Sequence, residues 1–188
     1  MQEEINFSDY FRISIDLIEA SKVDYLIIGG VAVGVWGNIR VTEDLDLMIF
    51  IPRAKVRNLL KNAKSLGFEF NEKDVVAQAK LVGVFKIFYK NYHLDFLIAS
   101  IDFERSALER KKKVRIFNKD VFIPSKEDLL LLKIIPGRSK DIVDAESIVN
   151  RQKGNLDIKY LETWTQKLSD EAQGMRIWNE LQRLLALK

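Results

Sequence analysis

The chain has 188 residues, 47% hydrophobic and 30% charged, which is the balance of a globular protein able to bury a core. Its formal net charge of +3 is too small to indicate nucleic-acid binding by itself. It contains no cysteine and one histidine, which excludes disulfides, thiolate metal sites and any mechanism that needs two imidazoles.

The N-terminal sequence MQEEINFSDYF is acidic and lacks the basic-then-apolar layout of a signal peptide. No apolar run approaches the roughly 20 residues that a bilayer-spanning helix needs. We therefore expect a cytoplasmic protein with no membrane partner.

In chain order, apolar residues at helical spacing predict a first amphipathic helix: Phe7, Phe11, Ile15 and Ile18. A short buried strand, VDYLIIGG, follows and ends at two glycines; residues 31–37 form a short helix or turn, and residues 43–51 a second strand closed by Pro52. A helix over residues 56–66 ends at Gly67. The runs LVGVFKIFY and YHLDFLIA then predict a hairpin of two strands.

Beyond this hairpin, FERSALERKKK predicts a helix, and VRIF–NKD–VFIP predicts a second hairpin. Ser125 and Asp128 form a capping pattern ahead of LLLLKII, and helical periodicity returns over residues 142–149 and 157–187. The chain thus divides into an α+β core at 1–123 and a helical portion at 124–188. No flexible linker separates them, so we expect the helical portion to pack on the core.

The second predicted strand carries Asp44 and Asp46 near its start. Side chains alternate along a strand, so Asp44 and Asp46 point to one face while Leu45 and Leu47 point into the core. Two neighbouring carboxylates repel each other, and a divalent cation between them relieves that repulsion. Mg²⁺ commonly uses one or two carboxylates together with substrate phosphates, which makes it the expected ion.

A possible phosphate site precedes these acids. Gly29 and Gly30 end a strand before a short helix, where backbone N–H groups can face an anion with no Cβ in the way. Arg40 and Thr42 add a guanidinium fork and a hydroxyl. Asp95, in HLDFLIA, lies opposite the core face of its own strand and would be a third carboxylate.

Three carboxylates on neighbouring strands fit a two-metal phosphoryl or nucleotidyl transfer. Asp44, Asp46 and Asp95 are therefore the predicted catalytic residues and metal ligands, with Mg²⁺ or Mn²⁺ as the ion. Asp95 would also help to take the proton of the attacking hydroxyl.

The combination of Gly-Gly, R-x-T-x-D-x-D and a later strand aspartate resembles the DNA polymerase β-type nucleotidyltransferase superfamily. The later residues Lys133, Arg138, Lys140, Asp141 and Asp144 resemble its branch of AbiEii-like toxins and uncharacterised bacterial and archaeal relatives. The resemblance covers roughly residues 23–150. It implies a mixed sheet flanked by helices, a helical C-terminal portion, and Mg²⁺-dependent transfer of a nucleotide from a triphosphate to a tRNA end, a protein hydroxyl or a small molecule. It also implies a toxin–antitoxin setting with an antitoxin-type partner protein.

The resemblance makes Gly29, Gly30, Arg40, Thr42, Lys133, Lys140 and Asp141 nucleotide-binding candidates. Simpler interpretations remain open: Lys133 could extend its ammonium from an apolar helix face into water, and the residues from Arg138 to Asp144 could form ion pairs within a helix. Many relatives have Gly-Ser where this chain has Gly29–Gly30. An inactive binding or regulatory protein with the same fold is therefore the alternative hypothesis.

Two further features carry weaker interpretations. The run from Arg110 to Arg115 is interpreted as a solvated helix end, with the phosphates of an RNA acceptor as the alternative. His93 lies two residues before Asp95, and a local hydrogen bond is its more common role.

Overall fold

The structure is a computed structural model that describes residues 5–187. These residues fall into two compact units. The first comprises the chain up to Val31 together with Val41–Ile123, and the second comprises Ala32–Arg40 together with the chain from Pro124 onward. The packing of the helical portion on the core remains a prediction.

The first unit is built on a four-stranded mixed sheet. Its strands are β1 (Asp24–Ile27), β2 (Asp44–Phe50), β3 (Val84–Tyr89) and β4 (Tyr92–Ile98), in the order β1-β2-β4-β3. Strands β2 and β4 are parallel, whereas β1 and β3 run antiparallel to their neighbours. The predicted hairpin is therefore confirmed as β3–β4, and its turn at Lys90 has a positive φ of 51°.

Five α-helices begin within the described residues of the first unit. They are α1 (Phe7–Ser21), α2 (Gly29–Trp36), α3 (Val56–Ser65), α4 (Glu72–Leu81) and α5 (Asp102–Glu109), and α2 continues into the second unit. Helix α4 was not predicted from the sequence. Its signal was the N-cap Asn71, whose side chain accepts hydrogen bonds from the N–H groups of Lys73 and Asp74. The apolar face of α4 is short, so periodicity alone did not reveal the helix.

A separate two-stranded sheet, β5 (Lys112–Ile116) and β6 (Lys119–Ile123), confirms the second predicted hairpin. The interpretation of the basic run as a helix end is wrong, because α5 ends at Glu109 and most of the run lies on β5. Lys113 and Arg115 both pair with Asp120 on the neighbouring strand. These ion pairs offset part of the positive charge that an RNA phosphate would meet.

The second unit is helical, with α6 (Lys126–Ile134), α7 (Ser139–Arg151), α8 (Ile158–Glu171) and α9 (Arg176–Leu185). Ser125 caps α6, as predicted, by accepting a hydrogen bond from the N–H of Asp128 at 3.1 Å. The region 157–187, predicted to be helical, contains two helices separated around Gly174. Within residues 5–187, no helix combines the length and the apolar character needed to cross a membrane.

One face of the four-stranded sheet belongs to the core of the first unit. Leu45, Leu47, Leu94 and Phe96 are buried there, and α1, which packs on α3, contacts β4. Burial of these apolar side chains holds the strands in register, since a slip by one residue would turn each of them to the opposite face. The other face carries Asp44 and Asp46 at the start of β2 and His93 and Asp95 on β4, followed by the apolar residues Met48 and Leu97.

Candidate active site

The acidic residues of β2 lie on the partly exposed face of the sheet. Leu45 and Leu47 are fully buried, whereas Asp44 and Asp46 are partly exposed, so the predicted alternation is confirmed. The same pattern holds on β4, where Asp95 lies between the buried residues Leu94 and Phe96. Local strand geometry therefore presents all three carboxylates away from the core.

The strand register brings these carboxylates together. In the parallel pair β2–β4, Asp44 is opposite His93 and Asp46 is opposite Asp95. Directly paired residues on adjacent strands have neighbouring side chains. Asp44, Asp46 and Asp95, called the carboxylate cluster from here on, consequently occupy one patch of the sheet.

His93 joins this patch as a fourth polar group. Its Nε2 lies 3.8 Å from Asp44 Oδ2 and 3.5 Å from Asp95 Oδ2. One ligand atom from each of Asp44, His93 and Asp95 lies within 4.8 Å of the others, a spacing that could hold a metal ion. The three side chains are 27–31% exposed, so a ligand can reach this possible metal site from solvent. Two carboxylates fit a hard divalent cation such as Mg²⁺ or Mn²⁺.

Two further side chains position the carboxylates. The Thr42 hydroxyl donates a hydrogen bond of 2.5 Å to Asp44 Oδ1, which restrains that carboxylate. Lys86, the register partner of Asp95 on β3, places its Nζ 3.4 Å from Asp95 Oδ1. The Lys86 ammonium offsets part of the repulsion within the carboxylate cluster.

Gly29 has a clear structural role beside Asp46. Its φ is +66°, and a Cβ at this position would lie only 1.9 Å from Asp46 Oδ2. Glycine is therefore required here both for the backbone conformation and for the close approach of the carboxylate. Helix α2 begins at this point, and the positive end of a helix dipole stabilises a carboxylate. Phosphate binding by Gly29 and Gly30 remains a prediction.

Tyr10 of α1 lies next to the same patch. Its hydroxyl donates a hydrogen bond of 2.5 Å to the backbone carbonyl of His93 and thereby ties α1 to β4. Burial raises the pKa of Tyr10 well above its usual range, and the charges of the carboxylate cluster raise it further. Tyr10 therefore remains a neutral hydrogen-bond donor at any physiological pH.

Three other predicted nucleotide ligands, Arg40, Lys133 and Asp141, belong to an ion network in the second unit. Arg40 donates to both carboxylate oxygens of Asp144, at 2.9 and 3.1 Å. Lys133 Nζ lies 3.0 Å from Asp144 Oδ2 and 3.2 Å from Asp141 Oδ1, and Arg138 donates to Asp141 Oδ2 at 2.5 Å. We call these five residues the buried ion network, because Lys133, Asp141 and Asp144 at its centre are buried, whereas the Arg138 side chain is 76% exposed.

The contacts in the buried ion network test the simpler interpretations of Lys133 and of the residues from Arg138 to Asp144. The Lys133 side chain is only 8% exposed, so the interpretation in which its ammonium reaches water is wrong. The ion pair between Arg138 and Asp141 is the predicted pairing at a helix start. Asp144 instead pairs with Arg40, which is distant in sequence, and Lys140 is exposed. The nucleotide-binding roles of Arg40, Thr42, Lys133, Lys140 and Asp141 remain predictions.

The pKa of Asp144 reflects two opposing effects. Burial by itself would raise the pKa of this carboxyl, because the charged form loses water. Hydrogen bonds from Arg40 and Lys133, together with their positive charges, outweigh burial and hold the pKa below its usual value of 3.8. Asp144 is therefore ionised at neutral pH and depends on both cations.

The sequence already placed His93 on the same face of its strand as Asp95, two residues away, but its contact with Asp44 was not predicted. Lys86 was not assigned to this patch at all. Lys86 could be found only once the register of β3 on β4 was known.

The fold and the carboxylate cluster define a protein of the nucleotidyltransferase type: a mixed sheet with acids on neighbouring parallel strands, beside a helix that begins with two glycines. The comparison with family models confirms this class. The chain belongs to the family described as nucleotidyltransferase of unknown function (DUF6036), whose model matches residues 12–184. No curated protein matches the chain.

Two solved structures show the same fold. One is ANT(2'')-Ia in complex with adenylyl-2''-tobramycin, with a TM-score of 0.57, 14% identity and coverage of 88% of this chain and 98% of that chain. The other is the lincomycin-bound lincosamide antibiotic adenylyltransferase LnuA, with a TM-score of 0.52, 16% identity and coverage of 78% and 98%. The predicted fold class is thus confirmed.

Proposed function

We propose that this protein transfers a nucleoside monophosphate from a nucleoside triphosphate to an acceptor hydroxyl. The observation that supports this most directly is the pairing of Asp46 with Asp95 across parallel strands, with Asp44 and His93 paired beside them. The carboxylate cluster would hold divalent ions, with Mg²⁺ expected first and Mn²⁺ as a substitute. Such ions would neutralise the triphosphate and lower the pKa of the attacking hydroxyl.

In the proposed reaction, the acceptor oxygen forms a bond to the α-phosphorus of the triphosphate. The bond from that phosphorus to the bridging oxygen breaks, and pyrophosphate leaves. Asp95, the proposed base, takes the proton of the acceptor hydroxyl. Thr42 keeps the Asp44 carboxylate oriented, and Gly29 leaves room for the Asp46 carboxylate. Most of the rate gain would come from this positioning and from charge neutralisation.

The remaining nucleotide ligands are proposed from the sequence resemblance. Backbone N–H groups of Gly29 and Gly30 would face a phosphate at the start of α2, and the exposed Lys140 is available to one. Arg40 and Lys133 would contact a phosphate only by exchanging partners, since each is paired with Asp144. If Lys133 moved to a phosphate, Asp141 would keep only its ion pair with Arg138.

Three classes of acceptor are proposed: a small-molecule hydroxyl, a tRNA end and a protein hydroxyl. The names of the two structural neighbours describe adenylyl transfer involving tobramycin and a lincosamide, which supports a small-molecule hydroxyl. The resemblance to AbiEii-like toxins supports a tRNA end or a protein hydroxyl, with an antitoxin-type partner. If expression of the wild-type protein arrests cell growth and expression of the Asp46→Asn variant does not, the toxin role would be favoured.

The central test follows transfer of label. The wild-type protein is incubated with each of the four α-³²P-labelled triphosphates, Mg²⁺, and in turn total tRNA, protein extract, a lincosamide or an aminoglycoside. We expect one combination to give labelled acceptor and pyrophosphate. Asp46→Asn and Asp95→Asn should each abolish the product, because each removes a proposed metal ligand.

Asp120→Asn is the matched control, since it removes an exposed carboxylate from the separate sheet β5–β6. It should label as the wild type does. Equal labelling by wild type, Asp46→Asn and Asp95→Asn would disprove the assignment of the carboxylate cluster. Triphosphate binding without release of pyrophosphate, with every acceptor, would favour the alternative of an inactive binding protein.

A further inference from the structure

A cavity lies in the first unit, at the opposite ends of the two strands that carry the carboxylate cluster. It has a volume of about 580 Å³ and is bordered by the last residues of β2 and β4, including Phe50 and Ile98, with Leu108 of α5 beside them. This volume lies in the range of small-molecule sites. The residues that line it include Arg53 and Arg105 and no acidic residue.

Arg53 is held in place by contacts that leave donors free. Its Nη1 donates to the backbone carbonyl oxygens of Lys80 and Leu81, in the last turn of α4. The guanidinium also lies over Gly83, where a Cβ would come within 3.2 Å of Nη2. Nε and Nη2 make no hydrogen bond to any residue from 5 to 187. A guanidinium fixed in this way loses little entropy when it binds an anion.

Arg105 supplies a second positive charge to the same cavity. It is exposed on α5, and its side chain forms no ion pair or hydrogen bond with a described residue. Its neighbour Glu104 instead uses Oε2 to accept hydrogen bonds from the N–H groups of Ser100 and Ile101. The cavity therefore combines two guanidinium groups with a largely apolar wall.

We propose that this cavity is a second ligand site, which binds the phosphoryl group of a small phosphate ester between Arg53 and Arg105. The planar fork of a guanidinium group matches the geometry of phosphate oxygens, and two such groups line this cavity. Phe50, Ile98 and Leu108 would contact an apolar or planar part of the ligand. The site is independent of the proposed transfer reaction, since it shares no residue with the carboxylate cluster.

The test uses the full chain without divalent ions, in the presence of a chelator. Adenosine monophosphate, inorganic phosphate and adenosine are titrated separately, with calorimetry for affinity and amide chemical shifts for location. We expect adenosine monophosphate to shift the amides of residues 50–53 and 98–108. Arg105→Gln should weaken this binding at least about tenfold, the effect of losing one charge-assisted hydrogen bond.

Arg57→Gln is the matched control, because Arg57 is also an exposed arginine but lies on α3 outside the cavity. Both variants should keep the wild-type unfolding midpoint. Equal affinity for inorganic phosphate would support the site and identify free phosphate as its ligand. Equal binding of adenosine, shifts confined to residues 29–46, no binding of any probe, or unchanged affinity in Arg105→Gln would each overturn the proposal.

Discussion

Asp46 and Asp95 are direct register partners on the parallel strands β2 and β4. Gly29 makes room for the first carboxylate, and Lys86 pairs with the second. The position of each carboxylate thus depends on a residue outside β2 and β4. Contacts of this kind can be tested by substitution, both at the carboxylate cluster and in the buried ion network.

Gly29→Ala should disturb the carboxylate cluster. The new Cβ would lie 1.9 Å from Asp46 Oδ2 and would also force alanine to adopt a φ of +66°. The left-handed conformation alone costs about 1–2 kcal/mol. We expect a loss of stability above that figure in urea unfolding, together with loss of Mn²⁺ binding measured by electron paramagnetic resonance.

Gly154→Ala is the control for this change. Gly154 has a φ of +79°, and among the described residues no non-adjacent atom lies within 4 Å of the place that the new methyl group would take. This variant should show only the cost of the backbone conformation and should retain Mn²⁺ binding. Equal losses in the two variants would mean that the approach of Asp46 to Gly29 is unimportant.

Thr42→Val should weaken metal binding without unfolding the protein. Valine keeps the shape of threonine but removes the hydroxyl that donates to Asp44 Oδ1. Loss of a partner that orients a metal ligand typically costs 10–100-fold in affinity, so we expect the Kd for Mn²⁺ to rise about tenfold. Thr163→Val, at an exposed position of α8, should leave this Kd unchanged. An unchanged Kd in Thr42→Val would remove the positioning role.

Lys133→Met should destabilise the second unit strongly. Lys133 is 8% exposed and lies between Asp141 and Asp144, so its removal leaves two buried carboxylates short of a partner. Breaking a buried ion pair on one side costs about 3–5 kcal/mol. Lys140→Met, at an exposed position on the same helix as these aspartates, should change stability by no more than about 0.5 kcal/mol. Chemical unfolding of both variants tests the difference, and similar free energies of unfolding would contradict it.

Asp144 should make stability depend on pH under acidic conditions. Its pKa is lower in the folded chain than the usual 3.8, so the unfolded chain takes up the proton first as the pH falls. The stabilisation is therefore complete above the unfolded pKa and is lost as the pH falls through the folded pKa. Urea unfolding at a series of pH values should show a shallower acid decline for Asp144→Asn than for the wild type. Parallel declines would assign the effect to other carboxyls.

Much of the fold followed from local sequence signals. The strand alternation of β2 and β4, the hairpin turns and the cap at Ser125 depend on neighbouring residues, and the structure confirms them. Helix α4 was missed because its apolar face is short and its cap was overlooked. The basic run from Arg110 to Arg115 was assigned to a helix end instead of mostly to β5, because helical and extended periodicities are hard to separate in a stretch with few apolar residues.

The candidate site was predictable in part for the same reason. Asp44, Asp46 and Asp95 could be placed on exposed strand faces from a period of two, and the motif resemblance predicted the nucleotidyltransferase class. The partners of Lys133 and Arg40 could not be predicted, because ion pairs between distant segments depend on which helix faces meet. The burial of Lys133 therefore became evident only from the structure.

The sequence by itself determined which side chains leave the core and which helices and strands carry them, because these properties repeat along the chain. Only the tertiary structure decided that Asp46 lies opposite Asp95, and that His93 lies between Asp44 and Asp95. The physical reason is that strand register is set when distant apolar residues, such as Leu47 and Phe96, are buried together. That burial converts three separately exposed acids into one carboxylate cluster.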